Sequence, residues 1–204
     1  MSEEHSDGNL YLPGEEKFGL FTSAFYGIVN TVPTLRRFYS FVESQVASMK
    51  FDSILDIGSG QGNVLLGIMK NNLNATGMGI DPSPGMVRIS MKKCMRMGMC
   101  DRVTFLPGSS RNIPGNRNFD LIYTSISFHH WKHRAESVGQ VLQRVNKGGK
   151  FLIFEITDDG SFNRRFVRSH LMERNDFIEI GKTLGMAPEL IESGGYIMAA
   201  FARD

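Results

Sequence analysis

The chain has 204 residues, of which 41% are hydrophobic, enough to build a core and to argue against wholesale disorder. Its 23 basic and 21 acidic residues leave a formal net charge of +2, a balance that argues against nucleic acid or an anionic membrane as partner. The acidic, polar start does not resemble a signal peptide, and no apolar run is long enough to span a bilayer. With only Cys94 and Cys100, reduced thiols in the cytoplasm are the expected state.

The first 49 residues predict a tail followed by two helices. Residues 1–16 are polar and contain Gly and Pro, so we expect a flexible tail, with residues 17–204 forming one domain. Apolar residues at helical spacing predict the first helix: Phe18, Phe21, Phe25 and Ile28. After Pro33, a second set predicts the next helix: Leu35, Phe38, Val42 and Val46. Residues 17–49 are interpreted as a helical cover for a sheet, or in part as a lid over a site. Phe25 and Tyr26 of the first helix either pack in the core or belong to that lid.

From residue 53 onward, strand-like and helical stretches alternate, which favours a parallel sheet with helices on both faces. The predicted strands are SILDI (53–57), ATGMGI (75–80), RVTFL (102–106), FDLIYTSIS (119–127), KFLIFEI (150–156), ELIES (189–193) and YIMAAFA (196–202).

Helical spacing of apolar residues predicts the segments between these strands. The first is QGNVLLGIMK (61–70), and the last lies around Asp176–Leu184. Ser83 is expected to cap a helix that places four residues on one face, with Cys94 in the core: Val87, Met91, Cys94 and Met95. A further helix is expected to stop at KGG and to have four apolar residues at helical spacing: Ala135, Val138, Leu142 and Val145.

The stretch LDIGSGQG (55–62) has three glycines, Gly58, Gly60 and Gly62, directly after the first predicted strand. Glycine costs backbone entropy, so this turn is either very tight or approached closely by a ligand. A strand, a glycine-rich turn and a helix typically form a nucleotide or anion site, because backbone N–H groups at the helix N-terminus point outward. The dinucleotide pattern G-x-G-x-x-G is incomplete, since Asn63 stands at its last position. Asp81 ends the second strand, where a carboxylate can accept hydrogen bonds from a ribose diol, which favours an adenosine-containing ligand.

Five segments resemble, in order and spacing, five successive motifs of class I S-adenosylmethionine-dependent methyltransferases: ILDIGSGQGN, GMGIDPSPGMV, RVTFLPGSSRNIP, FDLIYTSISFHHW and VLQRVNKGGKFLIFEI. They cover residues 53–156, and FIEIGKTLGMAPELIESGGYIMAAFARD is similar to the closing helix and hairpin of that fold. The closest likeness is to the small-molecule branch that includes ubiquinone/menaquinone biosynthesis methyltransferases. The resemblance implies an α/β, Rossmann-like fold. Its seven-stranded sheet would be mostly parallel, with the last strand antiparallel, helices on both faces and two N-terminal helices.

The resemblance also implies S-adenosylmethionine as cofactor. The bare backbone of Gly58, Ser59 and Gly60 would carry the methionine part, with Asp56 near its ammonium, and Asp81 would bind the ribose hydroxyls. An alternative for Asp56 is a carboxylate that caps the turn.

The adenine end of the cofactor is predicted from the next two motifs. Pro82 and Met86 would pack against the ring. Ser109 and Ser110 stand where family members often carry an acidic residue that accepts from the adenine amino group; a hydroxyl can also accept, without the charge. Ser125, at the end of the fourth strand, completes the predicted cofactor-binding residues.

The histidines after the fourth strand raise the question of catalysis. His129 and His130 are adjacent and lack the spacing of a metal site, so no metal is predicted. In the resembling family this segment lies at the mouth of the site, where His130 is the candidate catalytic base. The alternative is that both histidines orient backbone or pack against Trp131, because methyl transfer can rely on positioning alone. SISFHHW also lacks the Asn/Asp-Pro-Pro-aromatic motif typical of enzymes that methylate the amino groups of bases.

Taken together, these features predict an S-adenosylmethionine-dependent methyltransferase for a small-molecule acceptor, of undetermined oligomeric state. An RNA methyltransferase is an alternative, because FNRRFVRSHLMER (162–174) interleaves aromatics with arginines. A non-catalytic S-adenosylmethionine-binding protein is another, since no base is certain. An NAD(P)-dependent oxidoreductase is disfavoured by Asn63. Acceptor selectivity is expected from the N-terminal helices and residues 157–175.

Overall fold

The computed structural model of the chain describes residues 32–157 and 171–204. The predicted tail (1–16), the first predicted helix with Phe25 and Tyr26, and most of the segment that interleaves aromatics with arginines lie outside the described residues. Within the two described ranges, no helix is long and apolar enough to cross a membrane.

In the described part of the chain, seven strands form one sheet. They are β1 (Ser53–Ile57), β2 (Thr76–Asp81), β3 (Val103–Pro107), β4 (Phe119–Ser125), β5 (Val145–Ile156), β6 (Glu189–Ser193) and β7 (Tyr196–Ala202). Their order across the sheet is β3-β2-β1-β4-β5-β7-β6. Strands β1 to β5 are parallel, and β7 is antiparallel to both of its neighbours. The predicted Rossmann-like, mostly parallel sheet with an antiparallel last strand is confirmed.

The sheet grows in opposite directions from β1, with β2 and β3 on one side and β4 and β5 on the other. In open α/β sheets, such a switch point leaves a crevice outside the carboxyl ends of the strands, where ligands bind. Asp56 of β1 stands in register with Gly79 of β2 and Tyr123 of β4. The topology therefore brings the ends of three predicted motifs to one edge of the sheet.

Five α-helices and one 3-10 turn accompany the described strands. The helices are α1 (Val32–Ala47), α2 (Asn63–Asn71), α3 (Pro84–Arg96), α4 (Arg134–Leu142) and α5 (Arg174–Leu184), and the 3-10 turn is Phe128–His130. Ser83 caps α3 as predicted, because its Oγ accepts from the Met86 N–H (3.5 Å) and Pro84 occupies the first turn. Helix α5 ends at Gly185, whose φ of 69° is a left-handed conformation that glycine adopts at low cost.

Helices cover both faces of the sheet. Phe38, Val42, Leu65 and Cys94 from α1, α2 and α3 lie in one buried cluster. Val138 and Phe177 from α4 and α5 lie in the other, together with Phe128 and Phe151. These clusters confirm the placement of Cys94 in the core, and they show that α1 packs against one face of the sheet.

Two helix predictions were wrong in detail. The helix expected to reach Val145 ends at Leu142, because Val145 begins β5 and pairs with Phe119. On α3, Met91 and Met95 are 40% and 63% exposed, so they do not join Cys94 in the core. Ser90 is buried in their place, and its hydroxyl donates to the Val87 carbonyl (2.9 Å).

Candidate functional site

The glycine turn after β1 folds back onto the end of β2. The backbone N–H groups of Gly58 and Ser59 both donate to the Ile80 carbonyl, at 2.8 and 2.9 Å. The φ angles of Gly58, Gly60 and Gly62 are 78°, 52° and 74°, all in the left-handed region that L side chains rarely adopt. The spacing of the three glycines therefore has a direct backbone cause.

The three glycines differ in what a side chain at each position would meet. A Cβ on Gly58 would lie 2.6 Å from Ser127 Oγ, and one on Gly62 would lie 2.7 Å from the Phe105 ring, so both sites are filled by protein. A Cβ on Gly60 would meet no described atom within 4 Å. Gly58 and Gly62 allow tight packing, whereas Gly60 borders open space that a ligand can enter.

Asp56 lies at the base of this turn, facing the α1 side of the sheet, and is only 1% exposed. The Tyr123 hydroxyl donates to its Oδ2 (2.8 Å), whereas its Oδ1 has no hydrogen-bond partner among the described residues. Burial raises the pKa of Asp56 to about 7, the Tyr123 hydrogen bond opposes the shift, and the nearby Asp81 carboxylate adds to it. A buried acceptor without a donor is costly, so Oδ1 is the atom at which a ligand cation fits.

Asp81 ends β2 and is fully buried. Its Oδ2 accepts from the Gly60 N–H and its Oδ1 from the Ser83 N–H, both at 2.8 Å. Burial raises its pKa, and the two backbone hydrogen bonds oppose the shift. The carboxylate thus ties the glycine turn to the start of α3, a structural role that the sequence analysis did not anticipate. Each oxygen retains a second lone pair with which it can accept from a ligand hydroxyl.

The residues predicted for adenine lie on two neighbouring segments. Pro82 and Met86 are half-buried at the start of α3. Ser109 and Asn112 exchange backbone hydrogen bonds (3.2 and 3.1 Å) in the turn after β3, beside the buried Ser110. The Ser109 hydroxyl is buried without a hydrogen-bond partner in the described part of the chain. Because β2 and β3 are adjacent and parallel, the two segments leave the same edge of the sheet.

The turn after β4 is strained. Ile126 has a φ of 49°, which is a genuine outlier for a β-branched residue and costs about 1–3 kcal/mol. Its N–H donates to the Phe154 carbonyl of β5 (2.9 Å), and the Thr124 and Ser127 hydroxyls are 2.7 Å apart. Ser125, a predicted cofactor-binding residue, is half-buried directly before this outlier. Strain of this kind is found preferentially at functional sites.

A buried carboxylate holds the histidine segment. Glu155 of β5 is fully buried; its Oε2 lies 2.8 Å from His129 Nδ1, and its Oε1 accepts from the His129 N–H (3.1 Å). The half-buried His130 follows in the 3-10 turn, with its ring centroid 3.9 Å from that of His129. The Phe128 and Trp131 rings also pack together, at 5.1 Å. Both histidines therefore lie at the carboxyl ends of β4 and β5, and Glu155 anchors His129 there.

Sequence reasoning missed Tyr123, Ser127 and Glu155. Tyr123 and Glu155 stand in apolar strand runs, where a polar group between large hydrophobic residues was the only available signal. Their partners lie 67 and 26 residues away in sequence, so only the packed sheet brings them together. No cluster of three or more His, Cys, Asp or Glu side chains that could hold a metal occurs among the described residues.

The chain matches a known domain family. Residues 54–149 match the family model described as a methyltransferase domain. That range runs from β1 into β5 and contains the glycine turn, Asp81 and the histidine segment.

Two curated relatives are similar over shorter stretches. The release factor glutamine methyltransferase of Rhodospirillum rubrum is 38% identical over 73 residues, which are 35% of this chain and 22% of that protein. The erythromycin 3''-O-methyltransferase of Saccharopolyspora erythraea is 28% identical over 106 residues, 52% of this chain and 35% of that protein. The chain spans about a third or less of the length of these relatives.

Solved structures share the fold over nearly the whole chain. A candidate S-adenosylmethionine-dependent methyltransferase from Methanococcus maripaludis superposes with a TM-score of 0.72 at 19% identity, covering 95% of both chains. The plantazolicin methyltransferase BpumL, solved with S-adenosylhomocysteine, superposes with a TM-score of 0.71 at 16% identity, covering 91% of both. These likenesses establish the fold, and the family model identifies the domain. Residues 54–149 of the chain therefore match a methyltransferase domain, and the chain shares its fold with these solved methyltransferases.

Proposed function

We propose that this protein transfers a methyl group from S-adenosylmethionine to a small-molecule acceptor. The observation that carries the proposal is the buried Asp56 Oδ1, which lacks a donor in the described chain, beside a glycine turn that is open at Gly60. A carboxylate acceptor and bare backbone in one crevice suit an amino-acid ammonium together with its neighbouring atoms. The domain match supports the same ligand.

Each part of the cofactor has residues that fit it. Asp56 would hold the ammonium, and the backbone of Gly58, Ser59 and Gly60 would border the methionine part. Asp81 would accept from the ribose hydroxyls. Pro82, Met86, Ser109 and Ser110 would surround adenine, and Ser125 would lie near the end of β4. When bound, S-adenosylmethionine supplies a methyl group on an electrophilic sulfonium.

The acceptor would bind above the carboxyl ends of β4 and β5. His130 is proposed as the base for an acceptor whose nucleophile carries a proton, because an imidazole can take that proton near neutral pH. His129, held by Glu155, would fix the turn from which His130 projects. For an acceptor without such a proton, positioning alone would supply the rate enhancement.

Two of the similar proteins support a small acceptor. One is an erythromycin 3''-O-methyltransferase, and the other is the plantazolicin methyltransferase BpumL, which was solved with a desmethylPZN analogue. Residues 157–175 and the N-terminal helices would select the acceptor. Membership of the branch that methylates ubiquinone or menaquinone precursors, and use of RNA as acceptor, stay predictions that an acceptor screen distinguishes.

Mass spectrometry of ligands that co-purify with the protein, followed by a methyl-acceptor screen, tests the proposal. S-adenosylmethionine and S-adenosylhomocysteine should raise the melting temperature, whereas nicotinamide dinucleotides should not. Stabilisation by the dinucleotides alone would overturn the cofactor assignment. Cofactor binding without methylation of small molecules, RNA or protein would favour a non-catalytic binding protein.

A further inference from the structure

Two buried side chains meet across the central strands of the sheet. Asp56 of β1 and Tyr123 of β4 stand in register in adjacent parallel strands, and their side chains lie on the same face. Tyr123 is fully buried and Asp56 is 1% exposed. Their hydrogen bond joins Tyr123 Oη to Asp56 Oδ2 at 2.8 Å. Mostly apolar side chains of α1, α2, α3 and the neighbouring strands form the rest of this cluster, so a phenylalanine would satisfy packing at position 123.

The Tyr123 hydroxyl makes the two oxygens of the Asp56 carboxylate differ in their hydrogen bonding. Oδ2 has a donor, whereas Oδ1 is buried without one in the described part of the chain. A carboxylate with one oxygen engaged cannot rotate freely about its last bond without losing that hydrogen bond. The oxygen available to a ligand is therefore selected by Tyr123.

We propose that Tyr123 is a positioning residue for the cofactor: by binding Oδ2, it presents Asp56 Oδ1 to the ammonium of the methionine part. Tyr123 acts through Asp56 and need not touch the cofactor. This inference rests on the proposed function, because it assumes that Asp56 binds the ammonium.

The pKa of Asp56 also depends on the Tyr123 hydroxyl. Burial, opposed by the Tyr123 hydrogen bond, raises the pKa of Asp56 to about 7. The other titratable groups of the described chain that act on the pair are Asp81 on β2, and Tyr39 and Glu43 on α1. A hydrogen bond donated to the ionised form favours that form, so loss of the Tyr123 hydroxyl should raise the pKa of Asp56 further.

Calorimetric titration with S-adenosylhomocysteine across the neutral pH range tests the inference without requiring turnover. In the wild-type protein, affinity should rise with pH and level off above the pKa of Asp56, since the ammonium needs the ionised carboxylate. Tyr123→Phe should bind S-adenosylhomocysteine about 10- to 100-fold more weakly at neutral pH. The pH range over which its affinity rises should also move to higher pH. The ligand's own titration is common to all variants and cancels in the comparison.

Three variants make the result specific. Asp56→Asn should bind weakly, and its affinity should no longer rise with pH. Adding Tyr123→Phe to this variant should cause no further loss of affinity, because the hydroxyl acts through the carboxylate. Tyr196→Phe, at another buried tyrosine of the same cluster, should leave the affinity within about twofold and the pH profile unchanged. Melting curves establish that each variant is folded.

The outcomes separate this inference from the proposed function. If the wild-type protein binds neither S-adenosylmethionine nor S-adenosylhomocysteine, the proposed function fails. If it binds them and Tyr123→Phe keeps the wild-type affinity and pH profile, the positioning role is overturned while the function stands. An equal, pH-independent loss in the wild-type and Asp56→Asn backgrounds would show that Tyr123 is only structural, which also overturns the inference.

Discussion

Glu155 Oε2 lies 2.8 Å from His129 Nδ1, and the other oxygen of the same carboxylate accepts from the His129 backbone N–H at 3.1 Å. One buried side chain of β5 thus binds one residue twice and sets the course of the chain after β4. The same turn carries His130 and follows the strained Ile126. The carboxyl ends of β4 and β5 are therefore organised around a polar contact inside an apolar cluster.

Glu155→Ala should lower the free energy of unfolding by about 1–3 kcal/mol for each buried group that loses its partner. Glu155→Gln keeps the shape and one acceptor oxygen, so it should lose less. Urea denaturation of the two variants beside wild type measures the difference. An unchanged midpoint for Glu155→Ala would mean that this contact contributes nothing to stability.

Substitutions at two glycines should separate the ligand space from protein packing. Gly60→Val should abolish cofactor binding with a cost of about 1–2 kcal/mol in stability, because its side chain would enter open space in a left-handed backbone. Gly62→Val should unfold the protein more severely, because its Cβ would lie 2.7 Å from the Phe105 ring. Melting temperature and calorimetry with S-adenosylhomocysteine measure both effects. Normal binding by Gly60→Val would place the cofactor elsewhere.

Asp81→Ala should weaken cofactor binding and also lower stability. It removes acceptors from two backbone N–H groups in addition to those proposed for the ribose, and each hydrogen bond to a carboxylate contributes about 1.5–3 kcal/mol. From the sequence alone, Asp81→Ala is expected to leave the fold intact, because a carboxylate at the end of a strand contributes little packing. The full burial of Asp81 in the structure predicts instead a lower melting temperature for this variant. Calorimetry and thermal unfolding test the two parts, and unchanged affinity in the folded variant would remove Asp81 from the site.

Asp120 should make stability pH-dependent. Its Oδ2 accepts from the N–H groups of Asp52 and Ser53 and from the Ser53 hydroxyl, and its Oδ1 accepts from Asn146 Nδ2. Burial alone would raise the pKa of Asp120, but these hydrogen bonds outweigh it and lower the pKa. The folded pKa thus lies below the unfolded value of about 3.9, so the stabilisation is present above that value and is lost as pH falls through the folded pKa. The free energies of unfolding of Asp120→Ala and wild type should differ most at neutral pH and converge in acid. A difference that stays constant with pH would contradict this linkage.

His130→Ala should lower the single-turnover rate by about 10²–10⁴-fold while leaving cofactor affinity nearly intact, if His130 is the base. His133→Asn, at an exposed position with a left-handed backbone that asparagine tolerates, is the matched control and should keep its activity. Thermal unfolding beside single-turnover rates separates catalysis from structure. A stable His130→Ala protein with full activity would leave positioning as the catalytic account.

The sequence by itself determined the elements and the order of the motifs. SILDI and YIMAAFA coincide with β1 and β7, because short apolar runs mark buried strands. ELIES coincides with β6, an edge strand that stays partly exposed. Ser83 and Pro84 marked the start of α3, since a cap is a local interaction between near neighbours. The same locality made the three glycines Gly58, Gly60 and Gly62 recognisable as a turn. It could not show that, of these three, Gly60 alone would place a Cβ more than 4 Å from the described atoms around it.

Tertiary structure alone decided which polar groups meet. Val145 continues a helical pattern, yet pairing with Phe119 places it in β5, because strand pairing outweighs local periodicity. Tyr123 reaches Asp56 over 67 residues, and Glu155 reaches His129 over 26. Those contacts depend on the register of parallel strands, which side-chain burial across the whole sheet specifies and which no short stretch of sequence contains.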